Sequence, residues 1–567
     1  MRTSYSHLHV QNSPGNKILW IAKTTRMALA LLYMVLWICF RASAQDTTLQ
    51  PQTISIFSSY QPVLKEADKL SLTAALPEMD TTHPRLIYNI PALNLHFTYQ
   101  PIPLSPLAMM NDTLPPLHHY FIEASAGSYL TTALRAGIGS GRIDTSGTQA
   151  PFTYAVWLNH LSSKGSLAYQ QFGHDAVEAS GRYFSPHIAY DGNIQFQRDG
   201  LYYYGYNHDS LHYQKKDVRQ IFTRFGVRLG MSNIRENAVG INFHPVLNLT
   251  IFSDNYQHRE STFEVETPVE KIITDGISLS VSYMGKFATY ADQQASVSVS
   301  NTISAIHPAL HIVKQGFVLH AGLNPSWTNN QFFLLPDIVN ETQLIQEKLI
   351  LSSGWISYFI QNSFQHLSTE NPYFVGYPLQ PYNTRVEEKY TGIKGSLAGH
   401  FTYNTKFAYV TYHDRPLFLN DSLDGKTFYV VRESKLEAYQ LHLELNYMSE
   451  ENLQAGFRLN WFNYFHQQTE QKPWGLVPFQ ADVYARITAW DKLHVYADVF
   501  AWSGSFYRAK DLSAHKTAGI FDANLGAAYE INANFEAGLE AHNLFNSVYE
   551  RWHQYPSLGM QILGSVS

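Results

Sequence analysis

The clearest pattern in the chain is an alternation of apolar and polar residues between positions 439 and 546. In Tyr439–Tyr447 the apolar residues occupy odd positions and the polar residues occupy even positions. The same order returns in Leu453–Trp461, Phe479–Ala489 and Leu493–Ala501, and in the pair of segments Ala523–Tyr529 and Phe535–Ala541. A period of two is typical of β-strands that have one apolar and one polar face.

The connections between these strands alternate in length. Those after Tyr447, Ala489 and Tyr529 are a few residues long, whereas those after Trp461 and Trp502 span about fifteen residues. This order predicts an up-and-down antiparallel meander. In a membrane barrel the tight turns face the periplasm and the long loops face outside. We therefore expect residues 449–452 and 491–492 on the periplasmic side and the loop 503–518 outside.

The N-terminus decides between a soluble sheet and a membrane barrel. Four basic residues precede the apolar run Met27–Phe40, and Ala42-Ser43-Ala44 follows it. A basic segment, a short apolar core and a small-x-small site predict a secretory signal peptide over residues 1–44. The only cysteine, Cys39, lies in this segment, so the exported chain would contain no disulfide and no thiolate metal site.

Composition favours a membrane barrel over a soluble sheet. Aromatic residues make up 14% of the chain and charged residues only 15%, against about 25% charged residues in an average soluble domain. Tyr and Trp at strand ends suit the aromatic girdles of an outer-membrane barrel. The first 44 residues carry five of the 40 basic residues and no acidic residue, which leaves residues 45–567 with a net charge of −11. This charge argues against a nucleic-acid partner.

The chain divides into three parts. After the signal peptide, residues 45–117 hold ten of the 25 prolines, which argues against long helices and central strands there. We interpret this segment as an extended periplasmic arm; a disordered linker is the alternative. Alternating patterns then run from His118 to Ser567, and Ile277–Tyr283 is one of the regular examples. The predicted fold is all-β: an antiparallel up-and-down transmembrane barrel of about 16–22 strands.

Polar residues at the alternate positions of the C-terminal strands are the candidate functional residues. We predict that they line the lumen, either as cross-strand ion-paired ladders or as the wall of a hydrated channel. These candidates are Gln440, His442, Glu444, Arg458, Asp482, Arg486, His494 and Asp498. The 25 histidines form no HExxH motif, and the chain has no GxSxG motif. The sequence thus gives no catalytic, cofactor or metal site, and we expect no enzyme activity.

The C-terminus resembles a known family. Asn543-Leu-Phe-Asn546, followed by Tyr549-Glu550, resembles the element before the last strand of TonB-dependent receptors. The segment Ser59–Lys65 looks like the arm of receptor-like proteins of Bacteroidota. The resemblance implies a Gram-negative outer-membrane barrel. The plug domain of that family has no recognisable counterpart in the 73 residues before the barrel.

Two classes of function follow from this interpretation. The first is transport or uptake of a ligand across the outer membrane, with lipid and envelope or TonB-system proteins as partners. The second is a structural or assembly barrel that binds other envelope proteins through its arm and long loops. The sequence does not identify a ligand. A plug in the lumen or a TonB-binding segment would favour the first class, and an empty or arm-filled lumen with a stable partner would favour the second.

Overall fold

A computed structural model describes residues 119–140, 152–234, 239–376, 381–397, 399–449, 452–490 and 492–567. The predicted signal peptide (residues 1–44) and arm (residues 45–117) lie outside these described residues. The same holds for residues 450, 451 and 491, at the tips of two predicted turns.

Strands make up most of the described chain. They are β1 (Tyr120–Gly127), β2 (Thr131–Gly139), β3 (Phe152–Ser163), β4 (Phe172–Phe184), β5 (Ile188–Tyr202), β6 (Arg219–Asn233), β7 (Ile241–Phe243), β8 (Val246–Asp254), β9 (His258–Thr274), β10 (Ile277–Asp292), β11 (Val297–Lys314), β12 (Phe317–Thr328), β13 (Gln331–Ile345), β14 (Leu349–Gln361), β15 (Asn383–Leu397), β16 (Phe401–Asn420), β17 (Phe428–Ser449), β18 (Leu453–Phe465), β19 (Phe479–Trp490), β20 (Leu493–Trp502), β21 (Phe506–Arg508), β22 (Ala514–Lys516), β23 (Ile520–Asn532), β24 (Phe535–His542) and β25 (Gln561–Val566). A 3-10 turn, Ser128–Leu130, joins β1 to β2, and an α-helix, Phe364–Glu370, lies between β14 and β15. Within the described ranges, no helix is both long and apolar enough to cross a membrane.

The strands form one closed antiparallel barrel. Each strand pairs with its neighbours in the chain, and β1 closes the ring by pairing with β25 from Ala124↔Val566 to Gly127↔Leu563. Strands β7 and β8 both pair with β9, so they act as one strand interrupted at His244-Pro245. Strands β21 and β22 form a separate hairpin inside a loop. The barrel therefore has 22 strands, which confirms the predicted fold class at the upper end of its range.

The outer face of the barrel is apolar. Large apolar side chains are exposed along the strands, among them Leu249, Leu279, Phe407, Val483 and Leu539. Their neighbours in sequence point to the other face because side chains alternate along a strand. An outer apolar belt of this kind suits contact with lipid hydrocarbon.

Tyrosines on the inner face pack over glycines of the neighbouring strand. Gly456 pairs with Tyr484, and Gly526 pairs with Tyr496. In both pairs the ring occupies the space that a Cβ on the glycine would need. The hydroxyl of Tyr484 then donates to Asn446 Oδ1 at 2.9 Å. Glycines covered by aromatic rings let a sheet curve at defined places, so these pairs help to set the barrel wall.

The two ends of the barrel differ. One end, the turn end, has short connections such as 275–276, 315–316 and 533–534. The other, the loop end, carries the long loops: 203–218, 362–382, 466–478, 503–519 and 543–560. The predicted alternation of short and long connections does not hold everywhere, because residues 255–257, 293–296 and 329–330 make short connections at the loop end too. The loop 503–519 lies at the opposite end from residue 492, and the side of the membrane that each end faces remains a prediction.

Candidate functional site

The long loops fold over the loop end of the barrel, and we call this assembly the cap. Its centre is a cluster of ten buried residues from the loops and the strand ends: Phe222, Phe252, Tyr290, Phe364, Leu367, Phe374, Phe418, Phe428, Trp552 and Tyr555. The cap is therefore packed like a protein interior rather than like separate surface loops.

Aromatic contacts within the cap cross the lumen. The ring of Phe222 on β6 lies 6.4 Å from Phe364, which lies 6.5 Å from Phe374. Phe374 lies 6.1 Å from Phe418 on β16. These are centroid distances within the range for interacting aromatic pairs. Because β6 and β16 are widely separated around the wall, this row of rings spans the interior of the barrel.

A buried carboxylate holds the helix of the cap in place. Glu260, on β9, is 1% exposed. It accepts hydrogen bonds from the backbone N–H groups of Phe364 at 2.6 Å and Gln365 at 3.2 Å. The hydroxyl of Ser363 accepts from the N–H of His366 at 3.1 Å. The first N–H groups of a helix have no partner within the helix, so these acceptors satisfy them and fix where the helix begins.

Two other buried carboxylates anchor loops in the same way. Glu433 is fully buried and accepts from the backbone N–H groups of residues 468–470 at 2.7–3.0 Å. Asp522 is also fully buried and accepts from the N–H of Phe545 at 3.2 Å. Each acid lies near the loop end of its strand. Charge-assisted hydrogen bonds of this type are about twice as strong as neutral ones, so they are suited to fixing a loop.

The loop 543–560 reaches the middle of the cap. The ring of Tyr555 stacks on Tyr373 with centroids 3.4 Å apart and meets Tyr204 edge-on at 4.8 Å. Its hydroxyl donates to the carbonyl of Lys426. Burial raises the pKa of Tyr555 well above its ordinary value, so the hydroxyl keeps its proton and remains a donor.

The asparagines of the C-terminal motif give this loop its shape. Asn543 accepts from the N–H of Ser547 at 2.7 Å and donates to the carbonyl of Leu558 at 2.7 Å. Asn546 accepts from the N–H of Met560 at 2.8 Å. Both asparagines have positive φ angles, 54° and 52°, which asparagine tolerates better than most residues. The motif that carries the family resemblance therefore has a structural role in the cap.

A polar triplet joins two further loops. Asp424 accepts from the Tyr213 hydroxyl and from Lys426 Nζ, each at 2.6 Å. Burial acts to raise the pKa of Asp424, but hydrogen bonds from Lys426 and Tyr213 outweigh it, so the pKa is lowered. Asp424 is thus ionised at neutral pH and links the loop 421–427 to the loop 203–218.

A cavity of about 1150 Å³ lies in the lumen below the helix. Ser363, Gln365, His366 and Thr369 form its roof. Its walls carry charges of both signs from β4 to β6, β9 and β10: Glu178, Arg182, Asp191, Arg224, Arg228, Glu264 and Lys286. The space is large enough for a small ligand, and its mixed charges suit a polar one.

A second cavity, of about 520 Å³, contains three of the residues predicted from sequence. Arg486, His494 and Asp498 line it together with Gln454 and Tyr496. His494 contacts Glu530 Oε1 at 3.1 Å. These side chains come from alternate positions of β18, β19 and β20, as the period of two requires.

The other five predicted residues form cross-strand rows on β17 to β19. His442 donates from Nδ1 to Asn460 Oδ1 at 2.8 Å. Arg458 is in register with Glu444 on one side and with Asp482 on the other. Gln440 is in register with Phe462. The structure thus places Arg458 between Glu444 and Asp482, whereas Gln440 and His442 are in register with residues outside the predicted set. A role in lining a transport path remains a prediction for all eight.

Sequence analysis missed the larger cavity and the acids that anchor the cap. The wall of that cavity includes Asn193 and Gln195 on β5, where polar and apolar residues alternate from Asn193 to Gln197. This alternation is a signal that could have identified the strand. Glu260 has no such signal, because its partners lie about a hundred residues away. Among the described residues, no group of three or more His, Cys, Asp or Glu side chains is arranged to hold a metal ion.

The fold is similar to that of several solved receptors and transporters. The FrpB iron transporter of Neisseria meningitidis (F3-3 variant) superposes with a TM-score of 0.64 at 11% identity, over 79% of this chain and 80% of that one. The siderophore receptor PirA of Acinetobacter baumannii gives a TM-score of 0.61 at 11% identity over 79% and 80%. A mutant of the ferric enterobactin receptor PfeA of Pseudomonas aeruginosa gives 0.59 at 12% identity over 79% and 80%.

The chain shares the barrel fold of these proteins. At such low identity the likeness concerns the fold alone. No protein-family model matches the sequence. No curated protein matches it either.

Proposed function

We propose that the protein is an outer-membrane barrel that takes up or transports a ligand through its lumen, with the cap as the gate. The observation that carries this proposal is the cavity of about 1150 Å³ directly below the helix Phe364–Glu370. A cavity that lies inside a barrel and under a folded roof is suited to holding a solute between two compartments. The apolar outer belt supports a place in the outer membrane.

The class of ligand is proposed by analogy with the similar structures. The similar structures are an iron transporter and siderophore receptors, so an iron-bearing ligand is the first class to test. The resemblance of the C-terminal motif to TonB-dependent receptors supports uptake in general, with TonB-system proteins as partners. The path would be lined by eight polar and charged side chains, several of them paired across strands: Gln440, His442, Glu444, Arg458, Asp482, Arg486, His494 and Asp498. No catalytic role and no cofactor belongs to the proposal.

The N-terminal segments have separate roles in this proposal. Residues 1–44 direct export, and residues 45–117 form a proline-rich arm instead of the plug domain of the receptor family. The first strand, β1, begins at Tyr120 at the turn end of the barrel. The larger cavity extends toward the same end, because Ser140 and Asp191 are part of its wall. The part of the arm from Arg85 to Pro106 would thus enter the mouth nearest to it, with Tyr and Phe as anchors.

The second candidate function is a structural or assembly barrel. The row of rings from Phe222 to Phe418 favours it, because a lumen crossed by a packed core resists passage of solutes. In that case the long loops and the arm would bind other envelope proteins.

One experiment separates the two candidates. The full-length protein and a variant lacking residues 46–108 are purified from native membranes, and their conductance in planar bilayers and copurifying proteins are compared. Transport predicts a rise in conductance without the arm. An assembly role predicts unchanged conductance and the loss of a copurifying partner. A truncated protein with the same conductance and partners would leave the arm as a linker only.

A further inference from the structure

Four polar side chains form a continuous row on the barrel wall. Ser280 Oγ lies 2.8 Å from His311 Nε2, on β10 and β11. His311 Nδ1 lies 3.2 Å from His320 Nδ1 on β12. His320 Nε2 lies 2.9 Å from Asp337 Oδ2 on β13. The row therefore crosses four consecutive strands of the sheet.

The row faces the lumen. Leu279 and Val281 flank Ser280, Leu310 precedes His311, and Ile338 follows Asp337, and all four of these apolar side chains are exposed on the outer face. Since neighbouring residues on a strand point to opposite faces, the polar row points inward.

The partners of the two imidazoles limit their protonation. Asp337 is a carboxylate and accepts from His320 Nε2–H, which leaves a lone pair on His320 Nδ1. In one tautomer of His311, Nδ1–H donates to this lone pair across 3.2 Å and the Ser280 hydroxyl donates to Nε2. In the other tautomer, His311 Nε2–H donates to Ser280 Oγ and Nδ1 presents a lone pair, so a metal ion can take the place of the proton between the two nitrogens.

We propose that His311 and His320 form a binding site for a divalent transition-metal ion, such as Zn2+, Cu2+ or Ni2+, on the lumen wall. Imidazole nitrogens bind these ions at about 2.0–2.1 Å. Because the two Nδ1 atoms are 3.2 Å apart, the nitrogen–metal–nitrogen angle would be about 100°. This angle is close to that of a tetrahedral site. Two ligands come from the protein and water fills the other positions, which suits an ion that binds and leaves again.

The surroundings of the pair fit such an ion. A metal-binding histidine commonly donates its other N–H to a carboxylate or another oxygen, and Asp337 and Ser280 occupy these places. Glu270, on β9, is in register with Ser280, and its carboxylate adds a second negative charge near the histidine pair. The side chains of His320 and Asp337 are 26% and 31% exposed, so an ion in the lumen can reach them.

Acyl transfer is the other chemistry that a serine, histidines and a carboxylate could carry out. That reaction needs hydrogen-bond donors for the oxyanion, usually backbone N–H groups. Ser280 lies inside β10, whose continuous pairing with β9 and β11 commits the N–H groups around it to the sheet. The described strands around Ser280 thus lack the oxyanion donors of that reaction, and metal binding is the chemistry that this row supports.

The test uses the full-length protein in detergent, without a polyhistidine tag. Titration with Cu2+ alone, followed by electron paramagnetic resonance, is expected to show one ion per chain with two nitrogen ligands. Zn2+ in large excess should compete for the same site, because nitrogen ligands bind Cu2+ more tightly than Zn2+. The parent spectrum tests the site even if a variant fails to fold. A spectrum without a two-nitrogen species would overturn the proposal.

Variants assign the site to these residues. His311→Gln and His320→Gln should weaken binding by at least about tenfold, and Asp337→Asn by about tenfold to a hundredfold. His160→Gln is the control, because His160 contacts Asp175 at 2.7 Å and Ser162 at 3.2 Å rather than a second histidine. Equal binding by the parent and both folded His→Gln variants would contradict the assignment. Since binding is measured without transport, this result is independent of the proposed transport function.

Discussion

The carboxylate of Glu260 accepts the backbone N–H of Phe364 at 2.6 Å, across 104 positions of the sequence. This bond joins the barrel wall to the first residue of the helix that roofs the larger cavity. The position of the roof therefore depends on one buried acid of β9.

Removing that acid should release the helix. In Glu260→Ala the N–H groups of Phe364 and Gln365 lose their acceptor, which costs about 1–3 kcal/mol for a buried donor. We expect a higher conductance in planar bilayers and faster proteolysis of the loop 362–382, with the barrel intact. Glu536→Gln, at the turn end, is the matched control. Unchanged conductance and proteolysis in Glu260→Ala would show that the helix is held by its apolar contacts alone.

The two faces of β19 should respond differently to substitution. Val483 is 45% exposed on the outer face, and Arg at a lipid-facing position near the midplane costs about 2–4 kcal/mol. Val483→Arg, and likewise Val495→Arg on β20, should impair barrel assembly, measured by heat-modifiability on gels. Asp482→Asn and His494→Gln should assemble normally. If both pairs behaved alike, the assignment of faces would be wrong.

The link between the loops 203–218 and 421–427 should weaken in acid. The pKa of Asp424 is lowered in the folded protein, so its ionised form stabilises the folded state. This stabilisation is complete above the ordinary pKa of about 4 and is lost as the pH falls through the lowered pKa. Hydrogen exchange in the loop 421–427 should therefore rise below about pH 4. Asp424→Asn should show the faster exchange already at neutral pH. Asp421→Asn is the control and should keep the pH dependence of the parent.

The orientation of the barrel can be tested by surface labelling. Cys39 is the only cysteine of the chain, so a single introduced cysteine gives an unambiguous signal once the signal peptide is removed. A cysteine at Lys510, in a long loop, should react with an impermeant reagent on intact cells. One at Asn534, in a short turn, should react only after the outer membrane is opened. The reverse result would place the cap on the periplasmic side.

The strands that sequence analysis found are those with a regular period. Leu453–Trp461 and Leu493–Ala501 fall within β18 and β20. The strands β9 and β13 are harder to recognise, because Pro268 and Pro336 lie within them and proline is unusual inside a strand. The segment Phe121–Gly139 forms two strands, β1 and β2, which the 3-10 turn Ser128–Leu130 separates.

The functional site was less predictable than the barrel. Alternation along a strand gives the face on which a residue lies, and three of the eight residues predicted in this way, Arg486, His494 and Asp498, line the second cavity. It gives no information about loops that fold back over the lumen. Gln170 donates to the carbonyl of Pro556 at 3.0 Å across 386 positions, and neither residue lies in a periodic segment. Contacts of this kind arise from closure of the barrel, which brings distant loops together.

The contact between Gln170 and Pro556 has a kinetic consequence. Tyr204 donates to the same carbonyl, and Tyr204 also packs on Tyr555, so each of these loops is held by the others. Packed interfaces tend to have discrete arrangements rather than a continuous range of them. The current through a single barrel should therefore jump between two levels, without intermediate ones. In the proposed transport function, the cap would then act as a switch between a closed and an open state, and not as a sieve that sorts solutes by size.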